Sequence, residues 1–314
     1  MMKLTVAAAP HLRSGDDVRK VMIDVLIALI PASVAAVVLF GMKALLLIII
    51  SMVSAELIEL FIMRVLRQRK DFKPDFSASV TGLLLALNLS LAVSWWQAVI
   101  GVLVAIGIAK HIFGGLGKNF WNPALIGRVF LLMSFPVQMT TWFKPFDLET
   151  TATPMAILKE GSGTLPPVKD LFFGTIPGSL GEVSALLLII GFVYLVLRGR
   201  IKLFIPLSYL GSVALISWIF YSVNSSYGSP LYHLLGGGLM LGALFMATDM
   251  VTSPMSPLGQ LIFGTGCGFI TMIIRYFGGY PEGVSFSILI MNSFVPLIDM
   301  ATRPKRFGEV RSNA

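Results

Sequence analysis

The sequence predicts an all-α integral membrane protein of about ten transmembrane helices, and composition and hydropathy patterning are the evidence. Hydrophobic residues make up 56% of the 314 residues and charged residues only 13%, against about a quarter charged in a soluble domain. Long apolar runs recur along the chain, and a backbone in lipid satisfies its own hydrogen bonds by forming helices. A soluble enzyme is excluded. The net charge of +8 does not indicate a nucleic-acid partner, because the basic residues lie between apolar runs.

Ten apolar runs are candidate spans, and the third, fifth and eighth are short or interrupted by glycine. They are 21–40, 43–65, 78–92, 96–113, 123–136, 180–197, 203–222, 231–248, 258–276 and 284–300. Short cytoplasmic loops collect Lys and Arg. Placing both termini in the cytoplasm leaves only five basic residues on the opposite side, namely Lys43, Lys144, Lys159, Lys169 and Arg275.

The longest loop, 137–179, is predicted outside the cytoplasm and divides the spans into two sets of five. Two halves with an odd number of spans insert with opposite orientation, which permits the inverted repeat that many transporters use. A plain helical bundle remains an equal alternative. The predicted organisation is a cytoplasmic segment 1–20, a first half 21–136, the loop 137–179, a second half 180–300 and a cytoplasmic tail 301–314.

The long loop carries a hydroxyl-rich stretch, DLETTATP, from Asp147 to Pro154. By residue type it is either an exposed acceptor for a modifying enzyme or an ordinary surface turn, since Ser, Thr, Asp and Pro are common in loops. Pro154 stops any helix that precedes it. Nearby aromatic residues either stack on an aromatic ligand or anchor the loop at the membrane interface; they are Trp142, Phe143 and Phe146.

A glycine-rich segment, GGLGKNFWNPA, precedes the fifth span and runs from Gly114 to Ala124. Glycine permits close approach of a ligand to the backbone. Asn119 and Asn122 offer both donors and acceptors, as the edge of a flavin requires. The alternative is an ordinary helix start, because proline is common at the first helical position.

Acidic residues in apolar surroundings are a third signal, and they are Asp24, Glu56, Glu59 and Asp299. An acid near the bilayer centre costs roughly 2.5–3.5 kcal/mol on insertion scales, so it indicates a partner or an aqueous pathway. Glu56 and Glu59 share a helix face. Together with Asp249 or Asp299 they are candidates for a cation route. The alternatives are a structural hydrogen bond or pairing with Arg128 or another subunit.

Metal chemistry within this chain is not expected. His11, His111 and His233 fall in separate regions, so we expect no shared metal or haem site. Cys267 is the single cysteine, which leaves no thiolate set for an iron–sulfur cluster in this chain.

The loop motif Asp-x-x-Thr-x-Ala-Thr, from Asp147 to Thr153, resembles the flavinylation motif of a membrane flavoprotein family. This family comprises the B subunit of the sodium-pumping NADH:quinone oxidoreductase and the D subunit of the Rnf complex. Further similar segments are 114–124, ATDMVTSP at 247–254, GGYPEGV at 278–284, Met291-Asn292 and PLID at 296–299. The short N-terminus and the Ala-Thr-Pro sequence look more like the Rnf branch.

The resemblance implies FMN bound covalently to Thr153 through a phosphoester, with Asp147, Thr150 and Ala152 completing the motif. It also implies non-covalent riboflavin at Asn119 and Asn122. The chain departs from the family at one motif position, where the family usually has a small residue, often glycine, and this chain has Thr151.

A membrane electron-transfer subunit of an ion-translocating ferredoxin:NAD oxidoreductase is the function that the resemblance implies. Such a subunit is not catalytically complete alone and has no catalytic residue of its own, and transport of Na+ or H+ is coupled to the electron transfer. The implied partners are other membrane subunits, iron–sulfur subunits, a flavin-bearing G subunit and a flavin transferase, in a bacterial cytoplasmic membrane. The rival is a secondary transporter or channel for a small polar solute, which broken helices and an inverted repeat also suit.

Overall fold

The computed structural model describes residues 17–69, 71–147, 149–161, 163–182 and 184–303. The predicted N-terminal segment through residue 16, with His11, and the predicted tail from residue 304 lie outside the described residues. The helices are α1 Val18–Phe40, α2 Met42–Phe61, α3 Ser77–Leu87, α4 Trp95–Leu103, α5 Pro123–Ser134, α6 Pro136–Thr140, α7 Pro154–Glu160, α8 Val168–Phe173, α9 Ala185–Leu197, α10 Phe204–Val223, α11 Pro230–Leu235, α12 Leu239–Leu241, α13 Pro257–Phe277 and α14 Val284–Ala301.

Shorter elements extend or connect these helices. π-Helical segments continue α2, α4 and α12, and they are Ile62–Leu66, Val104–Ile112 and Gly242–Met246. A 3-10 turn, Ser225–Tyr227, precedes α11. Strands β1 (Trp142–Phe143) and β2 (Thr150–Thr151) form an antiparallel pair in the long loop.

Six helical segments of the described chain are long and apolar enough to cross a membrane, or seven if the pair Ser225–Leu235 and Leu239–Met246, bent by 45°, is one broken span. The six are Val18–Phe40, Met42–Leu66, Trp95–Ile112, Phe204–Val223, Pro257–Phe277 and Val284–Ala301. Helices α3, α5 and α9 are apolar but shorter. The all-α, multi-pass membrane architecture is confirmed at this level. The count of ten spans and the inverted repeat stay predictions.

Two of the predicted spans are shorter in the structure because two apolar segments pair with each other instead of forming helix. Helix α3 ends at Leu87, before the predicted end at 92, and α9 begins at Ala185, after the predicted start at 180. The Leu180 N–H donates to the Leu89 carbonyl at 3.1 Å, and the Gly181 N–H donates to the Leu87 carbonyl at 2.6 Å. Non-helical backbone in a membrane protein is tolerated where protein groups satisfy it in this way.

The predicted span 231–248 is broken between α11 and α12. Gly237 and Gly238 have φ angles of 69° and 67°, a left-handed conformation that glycine adopts without strain and that ends a right-handed helix. Buried Arg275 of α13 donates to the carbonyls of His233 at 2.5 Å and Gly236 at 3.0 Å. A cation from a neighbouring helix therefore satisfies the backbone carbonyls at the break.

Helices α1 and α9 pack in direct backbone contact. A Cβ atom added at Gly191 of α9 would lie 2.0 Å from the Ala28 carbonyl oxygen of α1, and small residues permit such approach in membrane proteins. Near the ends of the same helices, Asp24 pairs with Arg200 at 2.7 Å and Arg198 at 3.2 Å. The sequence predicted that Asp24 needs a partner or an aqueous pathway. Its partners are two arginines of the same chain.

Candidate functional site

The β1–β2 hairpin fixes the position of the first half of the loop motif. Trp142 is paired with Thr151, and Phe143 with Thr150. Both threonines are exposed, whereas Trp142 is buried. Asp147 lies in the connecting turn, where its carboxylate is 3.1 Å from the Lys144 ammonium group.

Thr153 is placed differently from the exposed acceptor that the sequence suggested. The residue is only 2% exposed and is the N-cap of α7, with Pro154 at the first helical position. Its Oγ1 accepts a hydrogen bond from the Ala156 N–H at 3.2 Å. Thr and Pro are favoured at these two positions, so this proline begins a helix as well as preventing one before it. The helix start turns the Thr153 hydroxyl inward.

A cavity of about 310 Å³ lies beside this residue, and we call it the Thr153 cavity. Its wall includes Thr151, Ala152, Trp142, Arg128 and Glu282. Its volume is in the usual range of about 300–1,000 Å³ for cofactor pockets. Of the three aromatic residues that the sequence singled out, Trp142 is in the wall. The loop motif and the middle of α5 thus meet at one cavity.

Arg128 of α5 is the charged centre of the wall. Its side chain is 7% exposed and forms an ion pair with Glu282. Nη1 donates to Asn88 Oδ1 at 3.0 Å and to Ser285 Oγ at 2.8 Å. Nε is buried and has no hydrogen-bond partner among the described residues. The carboxylate partner comes from the GGYPEGV segment, which lies 154 residues further along the chain.

Glu182 adds a second carboxyl group to this cluster from the non-helical segment before α9. Its Oε2 accepts from the Ser179 hydroxyl at 3.2 Å. Glu182 is buried and lies near both Glu282 and Arg128.

A second cavity, of about 100 Å³, lies at the other end of α5, and we call it the Asn119 cavity. Asn119 and Asn122 both line it. Asn122 is the N-cap of α5: its Oδ1 accepts from Ala124 N–H, and its Nδ2 donates to the Met246 carbonyl at 3.1 Å. Asn119 Oδ1 is buried and has no partner in the part of the chain that is described. The two asparagines therefore differ, since Asn119 alone has an unused acceptor.

The predicted acidic pair of α2 makes two separate contacts. Glu56 accepts from the Ser79 hydroxyl at 2.6 Å. Glu59 is buried and lies 2.6 Å from Lys110 Nζ and 3.1 Å from His111 Nε2. Neither acid pairs with Arg128, which was one of the predicted alternatives. Both glutamates have partners within this chain.

The other two predicted acids lie apart from each other. Asp249 lines the Asn119 cavity together with Lys110, and its carboxylate accepts from the Thr252 hydroxyl at 3.0 Å. Asp299 accepts from the Met255 N–H at 3.1 Å and lines another cavity at the ends of α13 and α14. Lys110 pairs with Glu59 and lines the same cavity as Asp249, whereas Asp299 lies at a different cavity. The cation route through either acid stays a prediction.

The comparisons with known proteins agree with the sequence motifs. A sequence model described as the NQR2, RnfD, RnfE family matches residues 5–308. The chain belongs to this family. The loop motif and the GGYPEGV segment, which meet at the Thr153 cavity, both lie inside the matched region.

Relatives similar along nearly their whole length have informative names. The D subunit of the Na+-translocating ferredoxin:NAD+ oxidoreductase complex of Acetobacterium woodii is 46% identical over 312 residues, 98% of this chain and 96% of the relative. The D subunit of the proton-translocating ferredoxin:NAD+ oxidoreductase complex of Clostridium ljungdahlii is 44% identical over 323 residues, covering 98% and 97%. The D subunit of the ion-translocating oxidoreductase complex of Halorhodospira halophila is 35% identical over 345 residues, also covering 98% and 97%.

Sequence reasoning did not single out the Arg128–Glu282–Glu182 cluster as a site. An arginine inside an apolar run is itself a signal, because ionisable residues in membrane helices face the protein interior or a cavity. Glu282 belongs to the GGYPEGV segment, which the sequence did identify. Its pairing with Arg128 depends on the packing of α5 against α14, which the sequence does not show. Nothing in the sequence marked Glu182 as a site residue, since it lies inside the predicted span 180–197.

Proposed function

We propose that this chain is the membrane electron-transfer subunit of an ion-translocating ferredoxin:NAD oxidoreductase complex and carries FMN on Thr153. Family membership and the names of the relatives support the complex. The observation that carries the cofactor assignment is local: Thr153 lines a cavity of suitable size next to an aromatic ring and a cation. The indole ring of Trp142 and the guanidinium group of Arg128 in the wall suit an aromatic, anionic molecule, so the residues present fit FMN.

FMN, when bound, accepts two electrons and releases them singly, which suits a membrane electron chain. The chain supplies the tether and the environment. Thr153 Oγ1 would be the ester oxygen, and the hydrogen bond that it accepts from the Ala156 N–H fixes its direction. Trp142 offers an aromatic wall, and the β1–β2 hairpin holds that ring beside the motif.

A second, non-covalent flavin, riboflavin, is proposed near the Asn119 cavity. The unused Oδ1 of Asn119 is an acceptor for a flavin N–H, whereas Asn122 is committed to its helix cap. The cavity of about 100 Å³ is below the ~300 Å³ usual for cofactor pockets, so it does not fit a ring system as it stands.

Ion transport is proposed as a property of the whole complex. Lys110 and Asp249 line the Asn119 cavity, and Glu59 pairs with Lys110. Glu59 and Asp249 are our first candidates for coupling. Glu56 and Asp299 remain secondary candidates. One relative is named as sodium-translocating and another as proton-translocating, so either ion is compatible with this family.

The proposed topology has ten spans with both termini in the cytoplasm of a bacterium. Counting the broken pair and the three shorter apolar helices with the six long helices gives ten segments in the described chain. This topology places the Thr153 cavity on the outer side of the cytoplasmic membrane. The proposed partners are the other membrane subunits, the iron–sulfur subunits, the flavin-bearing G subunit and a flavin transferase.

A denaturing gel viewed under ultraviolet light tests the proposal. Wild-type chain from cells expressing the flavin transferase is expected to fluoresce, and Thr153→Ala is expected to abolish the signal. Thr151→Ala is the matched control, because Thr151 lines the same cavity and is two residues away; it is expected to fluoresce. A dark wild-type band would overturn the assignment and favour the rival, a secondary transporter, which the broken span and the buried charges also suit.

A further inference from the structure

Arg128 is a buried cation at the middle of a short apolar helix. It lies in α5, Pro123–Ser134, and its side chain is 7% exposed. Burying a charge among apolar helices is costly, and Arg128 lines the Thr153 cavity. Arg128 is therefore a candidate for a role in that cavity.

The partners of Arg128 do not use all of its donors. A guanidinium group has five N–H donors and no acceptor. Asn88, Ser285 and Glu282 take donors on Nη1 and Nη2. The Nε donor is buried and has no partner among the described residues. An unsatisfied buried donor is unfavourable, so the pairing of Arg128 within the chain is incomplete at the cavity that this residue lines.

Among the described residues, three charged side chains line the Thr153 cavity, and each comes from a different element. Arg128 comes from α5, Glu282 from the segment before α14, and Glu160 from the end of α7. Glu160 is exposed, so solvent and salt screen its charge more than those of Arg128 and Glu282, whose side chains are 7% and 13% exposed. Arg275 of α13 donates from Nε to the Glu282 carbonyl at 3.0 Å. Arg128 and Glu282 are therefore the charges that act most strongly on a group in the cavity.

We propose that Arg128 is the positioning residue that stabilises negative charge on the flavin tethered to Thr153, and that Glu282 opposes it. The inference rests on the proposed function. A reduced flavin is more negative than an oxidised one, so a nearby cation favours reduction and a nearby carboxylate disfavours it. Arg128 and Glu282 both line the Thr153 cavity, so each acts on the group that occupies it.

The test is the reduction potential of the covalent flavin. It is measured on the purified full chain, from cells expressing the flavin transferase, after non-covalent flavin has been washed out. Arg128→Gln is expected to lower the equilibrium constant for two-electron reduction about tenfold, which corresponds to 29.6 mV. Glu282→Gln is expected to shift the potential by a similar amount in the opposite direction. Packing damage does not depend on the sign of the deleted charge. Shifts of the potential in opposite directions would therefore show that the charges cause them.

Two controls complete the experiment. Arg128→Lys keeps the charge and is expected to stay within about threefold of wild type in this equilibrium constant. Asp24→Asn deletes a carboxylate at an ion pair with Arg198 and Arg200, which is not in the wall of the Thr153 cavity. It is expected to leave the potential unchanged.

Two results would overturn the inference: shifts of the same sign in both neutral variants, or no shift in either. If one neutral variant does not accumulate, the other decides by the sign of its own shift. Fluorescence of each band on a denaturing gel is recorded first. Absence of covalent flavin from the wild type refutes the proposed function, whereas a flavin-bearing chain with an unchanged potential refutes only the role of Arg128.

Discussion

The Thr153 cavity and the Asn119 cavity each have a buried charged group in the wall. The two groups differ in how completely partners within the chain satisfy them. At the Asn119 cavity, Lys110 lies 2.6 Å from both Glu59 and the Ser77 hydroxyl. At the Thr153 cavity, Arg128 pairs with Glu282 and still has an unpartnered Nε. The Thr153 cavity is about 310 Å³ and the Asn119 cavity about 100 Å³. Lys110 therefore joins helices through its two partners, whereas Arg128 lines the larger cavity with one donor unpartnered among the described residues.

Breaking the Lys110 pair is expected to have the largest effect on stability. Lys110→Met leaves the Glu59 carboxylate buried without its lysine, since both side chains are at most 4% exposed. Removing one partner of a buried pair costs about 3–5 kcal/mol. Thermal unfolding of the purified chain in detergent measures the loss. The double variant Lys110→Met/Glu59→Gln leaves no charge unpaired and is expected to recover part of it. Equal stability of wild type and single variant would show that this pair does not hold the helices.

The smallest change in stability is expected at the Asn119 cavity, where substitutions of the two asparagines should differ in effect. Asn122→Ala removes the cap of α5 and the donor to the Met246 carbonyl, and is expected to cost about 1–3 kcal/mol. Asn119→Ala removes a side chain whose Oδ1 has no partner among the described residues, and is expected to change stability by less than about 0.5 kcal/mol. Thermal unfolding compares the pair. A larger loss for Asn119→Ala would reverse our interpretation of the two residues.

Apolar runs predicted the long helices well, because length and hydropathy determine them locally. The predicted spans 258–276 and 284–300 differ by one residue at most from the bounds of α13 and α14. The early end of α3 was not predictable, since it depends on backbone hydrogen bonds between Leu87 or Leu89 and a segment about 90 residues away.

The candidate site shows the same limit. The motif identified Thr153 as the acceptor, but its inward position follows from the helix that starts at Pro154. Short helices such as α7 have weak sequence signals. The pairing of Arg128 with Glu282 requires α5 to pack against the segment before α14. A single sequence contains no direct information about which of many apolar helices are neighbours.

Peptide mapping of the mature chain by mass spectrometry tests covalent attachment of FMN to Thr153. The peptide containing Thr153 is expected to carry the mass of FMN less one water, and fragmentation is expected to place this mass on Thr153. Recovery of the peptide without modification, from cells that express the flavin transferase, would refute the attachment. Localisation of the added mass to Thr150 or Thr151, the exposed hydroxyls of β2, would contradict it equally.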